Sequence, residues 1–139
     1  MFTYHRKAQY HETDKMSIIH HSNYVKWMEE ARVAFMDYIG FGFRRTEESG
    51  VGSPVVHIGV DYKKPVEFDD EVEVRISLVK YSGVVLEFHY EFYNVTKAEV
   101  CCLAESKHCV IKDGKIVSLK KCLPELDNKF ESELESAEK

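Results

Sequence analysis

The alternation of apolar and polar positions divides the chain into one strand, one long helix and then a run of strands. Phe2, Tyr4, Arg6, Ala8 and Tyr10 alternate with Thr3, His5, Lys7 and Gln9, which predicts a strand over about residues 2–10. A polar connection, His11 to Ser17, follows. Over residues 22–39, Tyr24, Trp27, Met28, Ala31, Phe35, Tyr38 and Ile39 recur every three or four positions, while Lys26, Glu29, Glu30 and Asp37 fall largely elsewhere. This is an amphipathic helix about 27 Å long, stopped by Gly40 and Gly42. Phe43–Glu48 predicts a short second helix, broken by the segment Ser49 to Pro54.

From Val56 the period is two. Val56, Ile58, Val60 and Tyr62 share one face. Val72, Val74, Ile76 and Leu78 repeat the pattern, as do Val84, Leu86, Phe88, Tyr90 and Phe92, and residues 99–111 add a further strand. Ser82-Gly83 and Asp113-Gly114 have the composition of tight hairpins, and Asn94–Lys97 suits a longer turn. Clean alternation predicts an antiparallel sheet with one face on the core and one in water. The long helix cannot bury its stripe alone, so the sheet is expected to curl around it. The edge strand after Pro54 would be closed by a two-fold mate, giving at least a dimer. Leu123–Lys139 is mostly charged with sparse Leu126, Phe130 and Leu134. It reads as a weak amphipathic helix or frayed tail, which divides the chain into a domain over 1–122 and a tail over 123–139.

Composition narrows the function. The 139 residues suit one domain with a packed core, and a net charge of −5 argues against a nucleic-acid scaffold. No apolar run approaches the roughly 20 residues that span a bilayer. The first residues lack the apolar core of a signal peptide, so a cytoplasmic location is expected. Cys101, Cys102, Cys109 and Cys122 lack zinc-site spacing and are expected to be free structural thiols.

The chemistry is concentrated between Glu12 and Tyr24. Asp14, His20, His21 and Asn23 stand immediately before the long helix, whose first turn offers unpaired N–H groups and a partial positive charge. A carbonyl oxygen held there would be polarised, with Asp14 on its other side as nucleophile or general base. The same residues also suit a turn and a helix cap. Adjacent histidines rarely ligate one ion, so no metal is expected at this loop.

Glu12-Thr13-Asp14, the run His21-Ser22-Asn23-Tyr24 and the helix YVKWMEEAR resemble the signature of the 4-hydroxybenzoyl-CoA thioesterase-like hotdog family. Val51-Gly52-Ser53-Pro54, Asp61 to Pro65 and Asp69 to Val74 match further family segments in order, so the resemblance covers residues 4–110. It implies an α+β hotdog fold, a five-stranded antiparallel sheet wrapped around one long central helix. It implies acyl-CoA hydrolysis to a carboxylic acid and free CoA, with no metal or organic cofactor, in a homodimer or a dimer-of-dimers tetramer. The catalytic acid falls on Asp14 and the oxyanion donor on the His21 main-chain N–H. Substrate contacts are expected from Asn23, Ser53, His57 and Ser82, and CoA phosphate contacts from Lys63, Lys64 and Lys80. Gly83 stands where the family has Ser, Ser17 where it often has Gly, and His20 where it often has Tyr. Alternatives are a thioesterase acting on acyl carrier protein and a non-catalytic acyl-CoA-binding module.

Overall fold

The computed structural model describes residues 1–138. Strand β1 (Phe2–Lys7) ends three residues before the alternation does. The cause is local: the Gln9 N–H donates to the Glu12 carboxylate at 2.8 Å and the Glu12 N–H donates to the Gln9 carbonyl at 3.0 Å, which coils Tyr10–Glu12 into a 3-10 turn.

Helix α1 (Ser22–Tyr38) follows the predicted span to within a residue and buries Asn23, Tyr24, Trp27, Met28, Ala31, Phe35 and Met36. Then come α2 (Phe43–Glu48), β2 (Val51–Gly52), β3 (Val55–Tyr62), β4 (Glu71–Tyr81), β5 (Val85–Asn94) and β6 (Glu99–Cys109). The last elements are β7 (Ile111–Lys112), β8 (Lys115–Ile116), α3 (Leu119–Cys122) and α4 (Pro124–Glu138).

Five strands form one antiparallel sheet in the order β1-β4-β5-β6-β3. Its inner face carries Val72, Val74, Ile76 and Leu78 from β4 and Leu86, Phe88, Tyr90 and Phe92 from β5, all buried. Phe35 meets Phe88 edge-on with centroids 5.4 Å apart, and Tyr24 meets Phe92 at 5.6 Å. The expected hotdog architecture is therefore present, and α1 is the element the sheet encloses. Strand β3 lies at one edge, where a register shift between Val55 and His57 leaves Val56 exposed instead of sharing the inner face.

The strand expected to reach residue 111 stops at Cys109. Asp113 and Gly114 both have positive φ, the requirement of a type I′ turn, so Ile111–Lys112 folds back on Lys115–Ile116 and pairs with β2 in a separate small sheet. Helix α4 seats Leu126 and Phe130 in the core, with Phe130 5.3 Å from the Tyr81 ring and the Tyr81 hydroxyl donating to Asp127. Among the described residues all four cysteines are free, and burial pushes the Cys101 and Cys102 thiols up to about 12. No helix of the described chain is long and apolar enough to cross a membrane.

Candidate active site

The loop between β1 and α1 is anchored by Glu12. Its carboxylate accepts hydrogen bonds from Arg6 Nη1 at 2.7 Å, the Gln9 N–H at 2.8 Å and Trp27 Nε1 at 2.8 Å. Burial alone would raise this carboxyl, but the three donors and the Arg6 charge outweigh it and hold the group below its ordinary range. The Glu12 carbonyl in turn accepts from Asn23 Nδ2 and from the His20 N–H, each at 2.9 Å. Asn23 is buried and ties the loop to the first turn of α1.

Asp14 sits on the turn this anchor supports. Thr13 bridges to Ile19, the Asp14 N–H donates to the Ile18 carbonyl at 2.9 Å, and Ser17, with φ of 64°, takes the left-handed conformation that reverses the chain. Asp14 Oδ1 accepts the Met16 N–H at 2.8 Å. Its second oxygen has no hydrogen-bond partner among the described residues.

The start of α1 lies across the same hollow. The N–H groups of Ser22, Asn23 and Tyr24 are taken by His20 Nδ1, the His20 carbonyl and the His21 carbonyl, at 3.2, 3.0 and 3.3 Å. The His21 N–H has no such acceptor among the described residues, and no acidic residue in the first turn offsets the positive end of the helix. The Tyr62 hydroxyl donates to the His21 carbonyl at 2.9 Å, which pins β3 to this corner. Burial raises the Tyr62 phenol, so it remains a donor at neutral pH. Asp14, His21, Tyr24, Tyr62, Lys63 and Lys64 line one open cleft of about 400 Å³. A carboxylate, a helix start and two lysines lining one cleft can together hold and attack an activated carbonyl bearing an anionic tail.

The other expected site residues lie elsewhere in the chain. Ser53 lines a separate hollow of about 420 Å³ with Glu29 and Arg32, and its carbonyl accepts from His108 Nδ1 at 3.0 Å. His57 is on the outer face of β3, 3.4 Å from Glu105. Ser82 closes the β4–β5 turn by accepting from the Val84 and Val85 N–H groups at 3.4 and 3.1 Å. Lys80 stands opposite Glu87 on β4.

Two features become visible only in three dimensions. Tyr62 belongs to the Asp61–Pro65 match, yet only the register of β3 shows that its hydroxyl reaches the helix start. The second is a buried polar chain: Arg32 Nη1 donates to the Tyr90 hydroxyl at 3.0 Å, Tyr90 and Ser106 are 2.6 Å apart, and Ser106 is 2.8 Å from His108 Nε2. Because a carbonyl can only accept, His108 carries its proton on Nδ1 toward Ser53, and Ser106 donates to Nε2. No local pattern announces it, since its members are far apart in the chain.

Known proteins resemble this chain over most of its length. The thioesterase-like superfamily matches residues 8–130. An acyl-CoA thioester hydrolase, YbgC of Escherichia coli O6:H1, is 25% identical over 111 residues, covering 80% of this chain and 81% of that protein. Among solved structures, a DHNA-CoA thioesterase from Staphylococcus aureus superposes with a TM-score of 0.89 at 31% identity, covering 94% of this chain and 88% of its own. A hypothetical protein from Aquifex aeolicus superposes with a TM-score of 0.86 at 35% identity, covering 94% and 99%.

Proposed function

The chain belongs to the thioesterase-like superfamily and is a thioester hydrolase, and from that premise we propose that it cleaves acyl-CoA at the Asp14 cleft. The supporting observation is that Asp14, with one carboxylate oxygen unpartnered among the described residues, and His21, whose main-chain N–H is likewise unpartnered among them, line the same cleft. The thioester carbonyl lies with its oxygen toward that N–H and the positive end of α1, which stabilises the charge of the tetrahedral intermediate. Asp14 either attacks the carbonyl carbon or takes a proton from the water that does. The C–S bond then breaks, the sulfur leaves as CoA thiol once protonated, and water supplies the oxygen of the carboxylic acid. Lys63 and Lys64 receive CoA phosphates at the mouth.

Ser53, His57, Ser82 and Lys80 lie outside this cleft in one protomer. The reading therefore includes a second copy paired along the β3 edge, in a dimer or a dimer of dimers, with the acyl group between α1 and the neighbouring subunit. A cytoplasmic location belongs to the same proposal.

The test is release of free thiol from a panel of acyl-CoAs by the wild type and Asp14→Asn. Turnover is expected to fall at least ~10²-fold in the variant with the fold intact by circular dichroism. Tight binding of several acyl-CoAs without cleavage of any would favour a binding module. Faster cleavage of an acyl-carrier-protein thioester would move the substrate class.

A further inference from the structure

The outer face of the sheet holds a cluster that the hydrolytic site does not use. Glu87 and His89 are two apart on β5 and so project from the same face, and His89 stands directly opposite Glu105 of β6. Glu105 in turn stands opposite Gly59 of β3. His89 Nε2 lies 3.0 Å from Glu87 Oε2 and 3.8 Å from Glu105 Oε2. One ligand atom from each of the three residues falls within 4.8 Å of the others.

We propose that Glu87, His89 and Glu105 form a binding site for one divalent transition-metal ion of the zinc class, with water completing its coordination. An ion about 2.1 Å from each of its tetrahedral ligands sets those ligands about 3.4 Å apart; the two separations from His89 Nε2, 3.0 and 3.8 Å, bracket that spacing, and the carboxylates lie within 4.8 Å of each other. Two carboxylates drawn to one imidazole repel each other, and a cation among them removes the repulsion. One imidazole with two carboxylates suits zinc and its neighbours, whereas an all-oxygen set would suit calcium or magnesium.

The surroundings hold the ligands in place. His57 Nε2 is 3.4 Å from Glu105 Oε1, the oxygen that faces away from His89, so it orients the carboxylate from behind. A side chain at Gly59 would meet Glu105 Oε1 at 3.1 Å and Cγ at 3.3 Å, so the glycine provides the room Glu105 occupies. Glu87 is almost fully buried although it lies on the outer face; Lys80 stands opposite it in the sheet, and Lys107 lies 3.7 Å from its other oxygen, Oε1, both holding the carboxylate ionised. Oε2 stays directed at the cluster. Bound there, the ion ties β5 to β6.

The experiment is calorimetric titration of the full chain, stripped with EDTA and dialysed, with zinc chloride. One ion per chain is expected, with affinity at least about tenfold weaker in His89→Ala and in Glu105→Gln, and on the order of tenfold weaker in His57→Ala. Cobalt(II) should give visible absorption bands in the wild type that zinc abolishes. Absence of zinc binding by the wild type overturns the site. So does binding that His89→Ala and Glu105→Gln, checked for fold by circular dichroism, leave unchanged.

Discussion

Trp27 donates its indole N–H to the Glu12 carboxylate at 2.8 Å, inside the joint between the site loop and α1. Of the two acids in Glu12-Thr13-Asp14, the first therefore builds the scaffold and only the second lines the cleft. Their division of labour predicts different consequences on removal.

Glu12→Ala leaves the Trp27 and Gln9 N–H groups without their carboxylate acceptor and takes from Arg6 one of its two carboxylates, Glu30 being the other. A loss of about 3 kcal/mol is expected, read as a lower denaturant midpoint at unchanged slope. Because the folded carboxyl lies below its ordinary value, its stabilisation is present above about pH 4.3 and is lost as pH falls through the folded value. Acid unfolding of the variant should accordingly be shallower than that of the wild type.

His108 predicts a second pH response, at milder acidity. Burial lowers this imidazole, the Ser53 carbonyl raises it less, and the Arg32 charge adds to the lowering. The neutral form is thus favoured in the folded chain, and stability should decline as pH drops from about 6.5 toward the folded value. Protonation puts a second donor against Ser106, whose hydroxyl then loses its acceptor on Nε2. Melting temperatures across pH 5–8 should lose this slope in His108→Asn.

Removing both rim lysines tests recognition apart from chemistry. Lys63→Ala with Lys64→Ala should raise KM for acyl-CoA several-fold with kcat little changed, since phosphate contacts far from the reacting carbon bind ground and transition states alike. Both lysines are exposed, so the difference from wild type should shrink as salt is raised. A fall in kcat alone would place them near the reacting atoms instead.

His21→Ala should be milder than Asp14→Asn, because the proposed donor at position 21 is main chain and survives the substitution. Steady-state kinetics of the two variants on one acyl-CoA would show the order. Equal losses would assign the role to the imidazole.

Periodicity carried most of the fold. The stripe from Tyr24 to Phe35 and the alternation in Val72–Leu78 and Leu86–Phe92 depend on burial on one face, which sequence records directly. The end of β1 was not legible, because a reciprocal Gln9–Glu12 turn overrides an alternation that continues to Tyr10. Val56 was misplaced because the shift beside it moves the strand's register by one residue. At the site, Asp14 and His21 are close in the chain, so local spacing could place them together. Tyr62 reaches the same cleft from 41 positions further along the chain than His21, through pairing that no short motif encodes.

The segment carrying Asp14 is fastened at Thr13–Ile19 and again where Ile18 bridges to Glu67, before any ligand arrives. If the proposed site is right, a substrate meets a segment already fastened at two points. Capture should be set by diffusion and charge, and rigid carbonyl-bearing fragments too small to reach the lysines should already recognise the crevice.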